Sequence, residues 1–378
     1  MTTHPDHRPI SSVTVRLDAL GETIAAVPAM LGFVPHRSLL VLCLGTGGTQ
    51  KLTVGTIMRH DLEVPERHEV SYGSLFVISD DMLEVIDRFA HQCQRENVHT
   101  VIAVVVDDRA SATTSWPTCD PRYRALAQCV TDELGAHGVE VLRVLSIAEI
   151  AAGREWASLI GPEERGLVAD PSLSPVTFAH ALEGRVVLPS RAALEDALRP
   201  VNDDVSRELA RLVPRARADR SGSDGFHLEQ ILQVIQCARA PSPDLPPAVE
   251  LSVQSAARIG VALNRLMVRD SLLALVLTDV ALIAEMLWSD LMRVLPAPDR
   301  AVPASLVAFS AYARGDGATA AVAIGVALKA DPEYSLARLL DTSLAAGAGP
   351  EMIREVAFSG YAVAELCGVR LPLPHPAS

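Results

Sequence analysis

Apolar and polar residues change their period along this chain. From Val13 to Leu17 the text alternates as a short strand, and from Asp18 to Leu31 it repeats every three to four residues, predicting a helix with Asp18 as its N-cap. Ser38–Leu44 and Leu52–Met58 are β-rich runs parted by Gly45-Thr46-Gly47-Gly48, the signature of a hairpin. Ser74–Ile78 and Val101–Val106 are continuous apolar runs of the kind a sheet covered on both faces produces. Helical periodicity over Asp81–Glu96 and Arg122–His137, with a further strand at Val139–Val144, completes an alternation of strands and helices. Such alternation predicts a mixed α/β sheet with right-handed crossovers.

Past about residue 150 the strand signals stop. Arg191–Leu198, Asp203–Val213, Leu228–Arg239, Val253–Val268, Leu272–Leu295, Pro303–Arg314, Ala318–Ala330 and Tyr334–Ala346 all read as helices. Breakers lie at 214–225, 240–248 and 295–303, and 214–225 is the best candidate for a mobile linker. The predicted organisation is a disordered N-terminus over 1–12, a mixed α/β domain over 13–190, a helical domain over 191–370 and a tail over 371–378.

One segment carries a recognisable spacing. Counting back from Pro332 over about 34 residues puts Ala308, Ala320 and Ala327 at the small positions of a tetratricopeptide-like hairpin, with Tyr312, Gly315 and Asp316 at its turn. The repeat-like stretch runs from 301 to 347. One unit with a capping helix is short of the three or more repeats that a free-standing array needs.

Composition narrows the function classes. The chain has 378 residues and is 49% hydrophobic but only 4% aromatic, so it buries a largely aliphatic core and is not intrinsically disordered. Its net charge of −13 argues against nucleic acid and anionic membrane surfaces as partners, leaving Arg211, Arg215, Arg217 and Arg220 as the one basic cluster of note. The start of the chain lacks a secretory pattern, and the most apolar stretch, Leu272–Trp288, is interrupted by Asp279 and Glu285. The six cysteines (Cys43, Cys93, Cys119, Cys129, Cys237 and Cys367) form no C-x-x-C pair, which predicts reduced thiols in a cytoplasmic protein.

Candidate chemistry is acidic. Asp80-Asp81 follows one apolar strand and Asp107-Asp108 another, so two carboxylate pairs would face a crevice at the carboxyl ends of strands, where ligands and Mg²⁺ bind in open α/β sheets. The structural alternative is that Asp80 or Asp81 caps the next helix, with Glu84 completing a capping box, and that Asp107-Asp108-Arg109 is a solvated loop. Arg59-His60-Asp61 leaves the second hairpin strand opposite Ser38, but neighbouring strand residues point to opposite faces, which argues against a Ser-His-Asp triad. Gly45 to Lys51 lacks the order of a phosphate loop, because Lys51 leads into a strand. The remaining histidines are scattered without an i, i+4 pair, and no cofactor or metal is named by the sequence.

Several fragments together resemble a family, the actinobacterial domain of unknown function 4192. They are Ala26-Val27-Pro28, Leu31 to Pro35, Ser38 to Leu42, Arg59 and Asp61, Ser174-Pro175, Leu188 to Arg191, Val268-Arg269-Asp270, and Ala304 through Asp331-Pro332 to Ala337. The resemblance covers about 15 to 350 and implies no established activity. Relatives often carry a cysteine-bearing stretch after an Arg-Trp motif. Here Arg154 to Leu159 has no cysteine nearby, so no metal site follows from the resemblance. Two functions remain: a non-catalytic binding or regulatory module meeting a protein partner through the helical domain, or a nucleotide- or small-molecule-binding protein or Mg²⁺-dependent enzyme. The second would use Asp80, Asp81, Asp107, Asp108, Arg59 and Asp61.

Overall fold

In the computed structural model every side chain from Val101 to Val106 is buried, so the strand that carries them, β4 (Thr100–Val106), is covered on both faces. The structure describes residues 13–15, 19–47, 51–64, 78–110, 120–182, 185–201, 204–219, 221–238 and 251–375. The chain divides into two compact units, 1–193 and 194–378. The expected N-terminal disorder over 1–12 falls outside the described residues, as does the expected strand at Ser74–Ile78 except for Ile78, which is not in a strand.

In the first unit, β1 (Val13–Val15), α1 (Leu20–Leu31), β2 (Ser38–Gly47), β3 (Lys51–Asp61), α2 (Asp80–Arg95), β4, α3 (Pro121–Ala136), β5 (Glu140–Ile147), β6 (Glu155–Ile160), β7 (Arg165–Leu167) and α4 (Pro175–Leu182) follow in order. The sheet runs β1-β3-β2-β4-β5-β6-β7. Among the described strands only β4 and β5 pair in parallel, joined through α3; the other strand pairs are antiparallel. A mixed α/β sheet is therefore what the strand and helix alternation encodes. Odd-numbered side chains Leu39, Val41, Cys43, Val101, Ala103 and Val105 meet Met82, Val85, Ile86 and Ala90 of α2 and Tyr123, Leu126, Ala127 and Val130 of α3 in one core. Even-numbered Leu40, Leu42, Ile102 and Val104 point to the opposite face and are buried as well.

The expectation that strands end near residue 150 is wrong. The meander β5-β6-β7 extends the sheet, with Trp156, Ala157 and Leu159 buried and the Ser158 hydroxyl accepting from the Glu164 amide at 3.0 Å. These strands are short and broken by polar residues, so period-2 patterning barely shows. Gly21 explains how close α1 comes to β7, since a Cβ there would lie 2.1 Å from the Leu167 carbonyl oxygen. The N-cap expected at Asp18 is displaced: Asp18 lies outside the described residues and Ala19 occupies the cap position without a side-chain bond. Gly32 closes α1 in the left-handed conformation, φ 76°, which glycine adopts without strain. Gly45 to Gly47 continue β2 instead of forming the turn.

The second unit is helical: α6 (Asp204–Ala218), α7 (Asp224–Cys237), α8 (Val253–Ala262), α9 (Leu266–Leu272), α10 (Ala281–Val294), α11 (Ala301–Ala313), α12 (Gly317–Ala330), α13 (Ser335–Ala345) and α14 (Pro350–Leu366). A short helix, α5 (Arg191–Ala197), lies across the boundary between the units. Most of the expected linker 214–225 is helix instead, because α6 runs through Pro214 to Ala218 and α7 starts at Asp224 under a Ser223 cap. The two long helices expected at 253–268 and 272–295 are each broken. Asn264 turns back to donate to the Gly260 carbonyl at 2.9 Å and to the buried Asp299 carboxylate at 3.0 Å, and a 3-10 segment, Leu273–Leu277, stops where the Thr278 hydroxyl donates to the Leu275 carbonyl at 2.7 Å. Apolar residues continue across both breaks because both sides are core. The sequence reading also passed over α4 and α14.

Candidate functional site

Register brings the two charged tripeptides together at one end of the inner strands. Ser38 opens β2 opposite both Asp61, the last residue of β3, and Val106, the last of β4, while Val106 pairs with Ile147 at the end of β5. Arg59-His60-Asp61 and Asp107-Asp108-Arg109 therefore flank the start of β2, with Arg37 and Ser38 between them.

Asp107 is fully buried, and a buried carboxylate is tolerated only when its lone pairs are filled. Arg109 fills them with Nε at 2.9 Å, Nη2 at 2.8 Å and its backbone amide at 3.0 Å, and the Tyr123 hydroxyl donates at 2.9 Å. The amide of Asp107 bonds the Ile147 carbonyl at 2.9 Å, so the loop is tied to β5. Burial, reinforced by the neighbouring Asp107 charge, pushes the Tyr123 phenol above its ordinary value. Instead of a solvated loop, the segment is an anchored ion-pair corner.

Asp108 faces solvent and holds Arg37 through Nε at 2.8 Å and Nη2 at 3.2 Å. The hydrogen bond from Arg37 keeps its carboxyl below the usual range. Arg37 adopts φ 39°, which side-chain-bearing residues rarely do. Arg59 is nearly buried, donates from Nε to the Ser38 hydroxyl at 3.0 Å, pairs with Asp61 and lies 5.8 Å over the Phe33 ring. Ser38 in turn donates to the His36 carbonyl at 2.7 Å, while His60 Nδ1 lies 2.9 Å from the Asp61 carbonyl oxygen. Serine, histidine and aspartate here each have other partners, and no nucleophile-base pair is assembled among them.

Asp80 and Asp81 sit exposed in the first turn of α2, where negative charge suits the helix dipole. The expected aspartate cap and capping box are corrected: Ser79 has the extended backbone of a cap and accepts from the Met82 amide at 3.2 Å. Among the described residues the one group of three His, Cys, Asp or Glu side chains close enough to share an ion is Asp87, His91 and His137, away from this set. An ion bound at Asp107, Asp108 or Asp61 would displace an arginine already bonded to that carboxylate.

In the helical unit, Ala308, Ala320 and Ala327 are fully buried, and Gly315, at φ 82°, makes the turn between α11 and α12. Asp316 caps α12 by accepting from the Thr319 amide at 3.0 Å, and Tyr312 donates to the Ala348 carbonyl at 2.8 Å. All thirteen residues of α11 are buried. α11 therefore has no free face, whereas α12 buries Ala320, Ala323, Ile324 and Ala327 and leaves its other residues at least partly exposed. Of the arginine cluster, Arg217 pairs with Asp299, and Arg220 lies outside the described residues.

The last helix, α14, was missed although Pro350 opens it and Ile353, Ala357, Gly360 and Ala364 repeat at intervals of four, three and four. Those four are buried; a Cβ at Gly360 would lie 2.8 Å from the Asp270 carbonyl oxygen. Met352, Val356, Ser359, Val363 and Leu366 form a second row at the same spacing, and Met352, Val356 and Leu366 are exposed at 54%, 47% and 79%.

A family described as Domain of unknown function (DUF4192) matches residues 21–351. No curated protein and no solved structure matches the chain. No helix among the described residues is long and apolar enough to cross a membrane.

Proposed function

We propose that this chain, which belongs to the DUF4192 family, is a non-catalytic binding or regulatory module whose helical unit takes a protein partner on the outer face of α14. The observation that carries this is the row Met352, Val356, Val363 and Leu366, spaced four, seven and three apart as in a helix-packing seam, with Met352, Val356 and Leu366 exposed and Val363 half-buried. On a helix turning 100° per residue, Glu351, Glu355 and Glu365 fall on one flank of that row. The partner that fits is a helix with its own apolar seam and basic residues beside it. Burying the exposed parts of these side chains yields roughly 1 kcal/mol each, enough to anchor an interface that has further contacts around it.

The test is capture with the intact chain, comparing the parent with Val356→Glu and Leu366→Glu. Proteins held by the parent and lost from both variants, at unchanged melting temperature, support the reading; a Lys329→Ala control retains them. Retention of the same proteins by both charged variants overturns it, and size measurement separates a second copy of the chain from a different partner.

A second reading places a nucleotide or small molecule at these strand ends, supported by the left-handed backbone of Arg37 beside its exposed pair with Asp108. A thermal-shift screen with nucleotides, with and without Mg²⁺, tests it. Ligand at a hundred times Kd stabilises by about 2.7 kcal/mol.

A further inference from the structure

Asp87 and His91 stand four residues apart on α2, and His137 is the residue that ends α3 beside it. In sequence the two histidines are far apart, and each reads as an ordinary surface residue. Packing of the two helices puts their rings 4.8 Å apart between centroids, tilted by 58°. The Asp87 Oδ1 atom lies 3.2 Å from His91 Nδ1 and 3.7 Å from His137 Nε2. One donor atom from each of the three side chains falls within 4.8 Å of the others.

The geometry points to a divalent-metal site formed by Asp87, His91 and His137, suited to a first-row transition ion such as Zn²⁺. Metal-ligand distances of about 2.0–2.1 Å in a tetrahedral shell place neighbouring donor atoms about 3.4 Å apart. The two separations at Asp87, 3.2 and 3.7 Å, bracket that value, and all three donor atoms lie within 4.8 Å of one another, a distance that side-chain rotation closes. Two imidazoles and one carboxylate are the donor set such ions prefer over Mg²⁺ or Ca²⁺.

Orientation supports the assignment. His137 Nδ1 lies 3.0 Å from the Glu133 carbonyl oxygen, so that nitrogen donates and Nε2 keeps its lone pair toward Asp87. Ligating histidines are commonly fixed in this way by a second acceptor. The Gln94 side chain donates to the His137 carbonyl at 3.2 Å, tying the end of α3 to α2. His91 Nδ1 also lies 3.0 Å from the Asp87 carbonyl oxygen, so ligation through Nδ1 gives up that contact, whereas turning the half-exposed ring about its Cβ–Cγ bond brings Nε2 into reach instead. Three protein ligands at a partly exposed site leave positions for water, and the ion would clamp α2 to α3 on the outer side of the sheet. This site is separate from the α14 face, and the inference does not depend on the partner reading.

The test uses the full chain stripped with a chelator, with Co²⁺ absorption and Zn²⁺ competition as readouts. The parent is expected to bind one ion with the visible bands of nitrogen and oxygen ligation. Asp87→Asn, His91→Ala and His137→Ala should each weaken binding at least tenfold, with Asp87→Asn leaving the melting temperature of the stripped protein unchanged. His227→Ala, on another helix, should bind as the parent does. Equal affinity in all three variants, or a Co²⁺ spectrum dominated by thiolate charge transfer, would overturn the site.

Discussion

Tyr123 of α3 donates its phenolic hydrogen to the fully buried Asp107 carboxylate at 2.9 Å, joining the helix that follows β4 to the end of that strand. With Arg109 on the same carboxylate, this bond turns a charged loop into a fixed corner of the sheet.

Removing either end of that arrangement has unequal consequences. Tyr123→Phe leaves the carboxylate with Arg109 and is expected to destabilise by about 1–2 kcal/mol. Asp107→Ala strands Arg109 and the tyrosine hydroxyl, and a loss of about 3–5 kcal/mol is expected. Urea titration of both variants checks the order; equal losses would show that Asp107 is not the hub.

Tyr123 also sets an alkaline limit. Burial first, and the Asp107 charge second, raise its pKa in the folded state above the ordinary 10.0. The folded protein thus keeps a proton that the unfolded chain releases, so this contribution is complete below about pH 10 and is lost as pH rises beyond it. The urea midpoint of the parent should fall above pH 10 more steeply than that of Tyr123→Phe, and parallel curves would refute the assignment.

Mg²⁺ should have no specific effect at the end of β4. Because Asp107 and Asp108 already hold Arg109 and Arg37, the pair of substitutions Asp107→Asn and Asp108→Asn is expected to lower stability while leaving the melting shift with Mg²⁺ as it is in the parent. A Mg²⁺-dependent shift present in the parent and absent from the double variant would favour the small-molecule reading.

The helical crossing is tested by size. Ala308→Leu and Ala320→Leu insert volume at fully buried positions and should each cost about 1–3 kcal/mol. Gly360→Ala meets the Asp270 carbonyl oxygen and the Ala274 amide at 2.8 and 2.9 Å and should also destabilise, whereas Lys329→Ala on the exposed face should change stability by less than about 0.5 kcal/mol. Calorimetric melting of the four proteins against the parent decides it.

Thiol labelling gives an independent check on the core. Cys43 and Cys93 are buried free thiols, and the Cys43 thiol is pushed up by its hydrogen bond with Cys93 and by burial, while Cys237 is exposed. Among these three, Cys237 should react first with a disulfide reagent and the other two only on unfolding.

Local pattern was enough to read the helices α1, α2 and α3, the hairpin of β2 and β3, the buried run of β4 and the alanine crossing of α11 with α12. Each of these signals lies within one or two turns or a few strand residues, where side-chain period and burial coincide. The same pattern named the residues at these strand ends but not their partners: that Arg59 faces Ser38, or Arg37 Asp108, follows from strand register. Strands β6 and β7 escaped because their pairing partners define them more than their own composition, and the breaks at Asn264 and Thr278 escaped because both flanks are core. Nothing near His91 in sequence announces His137; packing α2 against α3 on the sheet brings those rings together. What each segment becomes was largely local information, whereas which side chains meet was decided by long-range packing, whose closure entropy is offset only by contacts made across the whole fold.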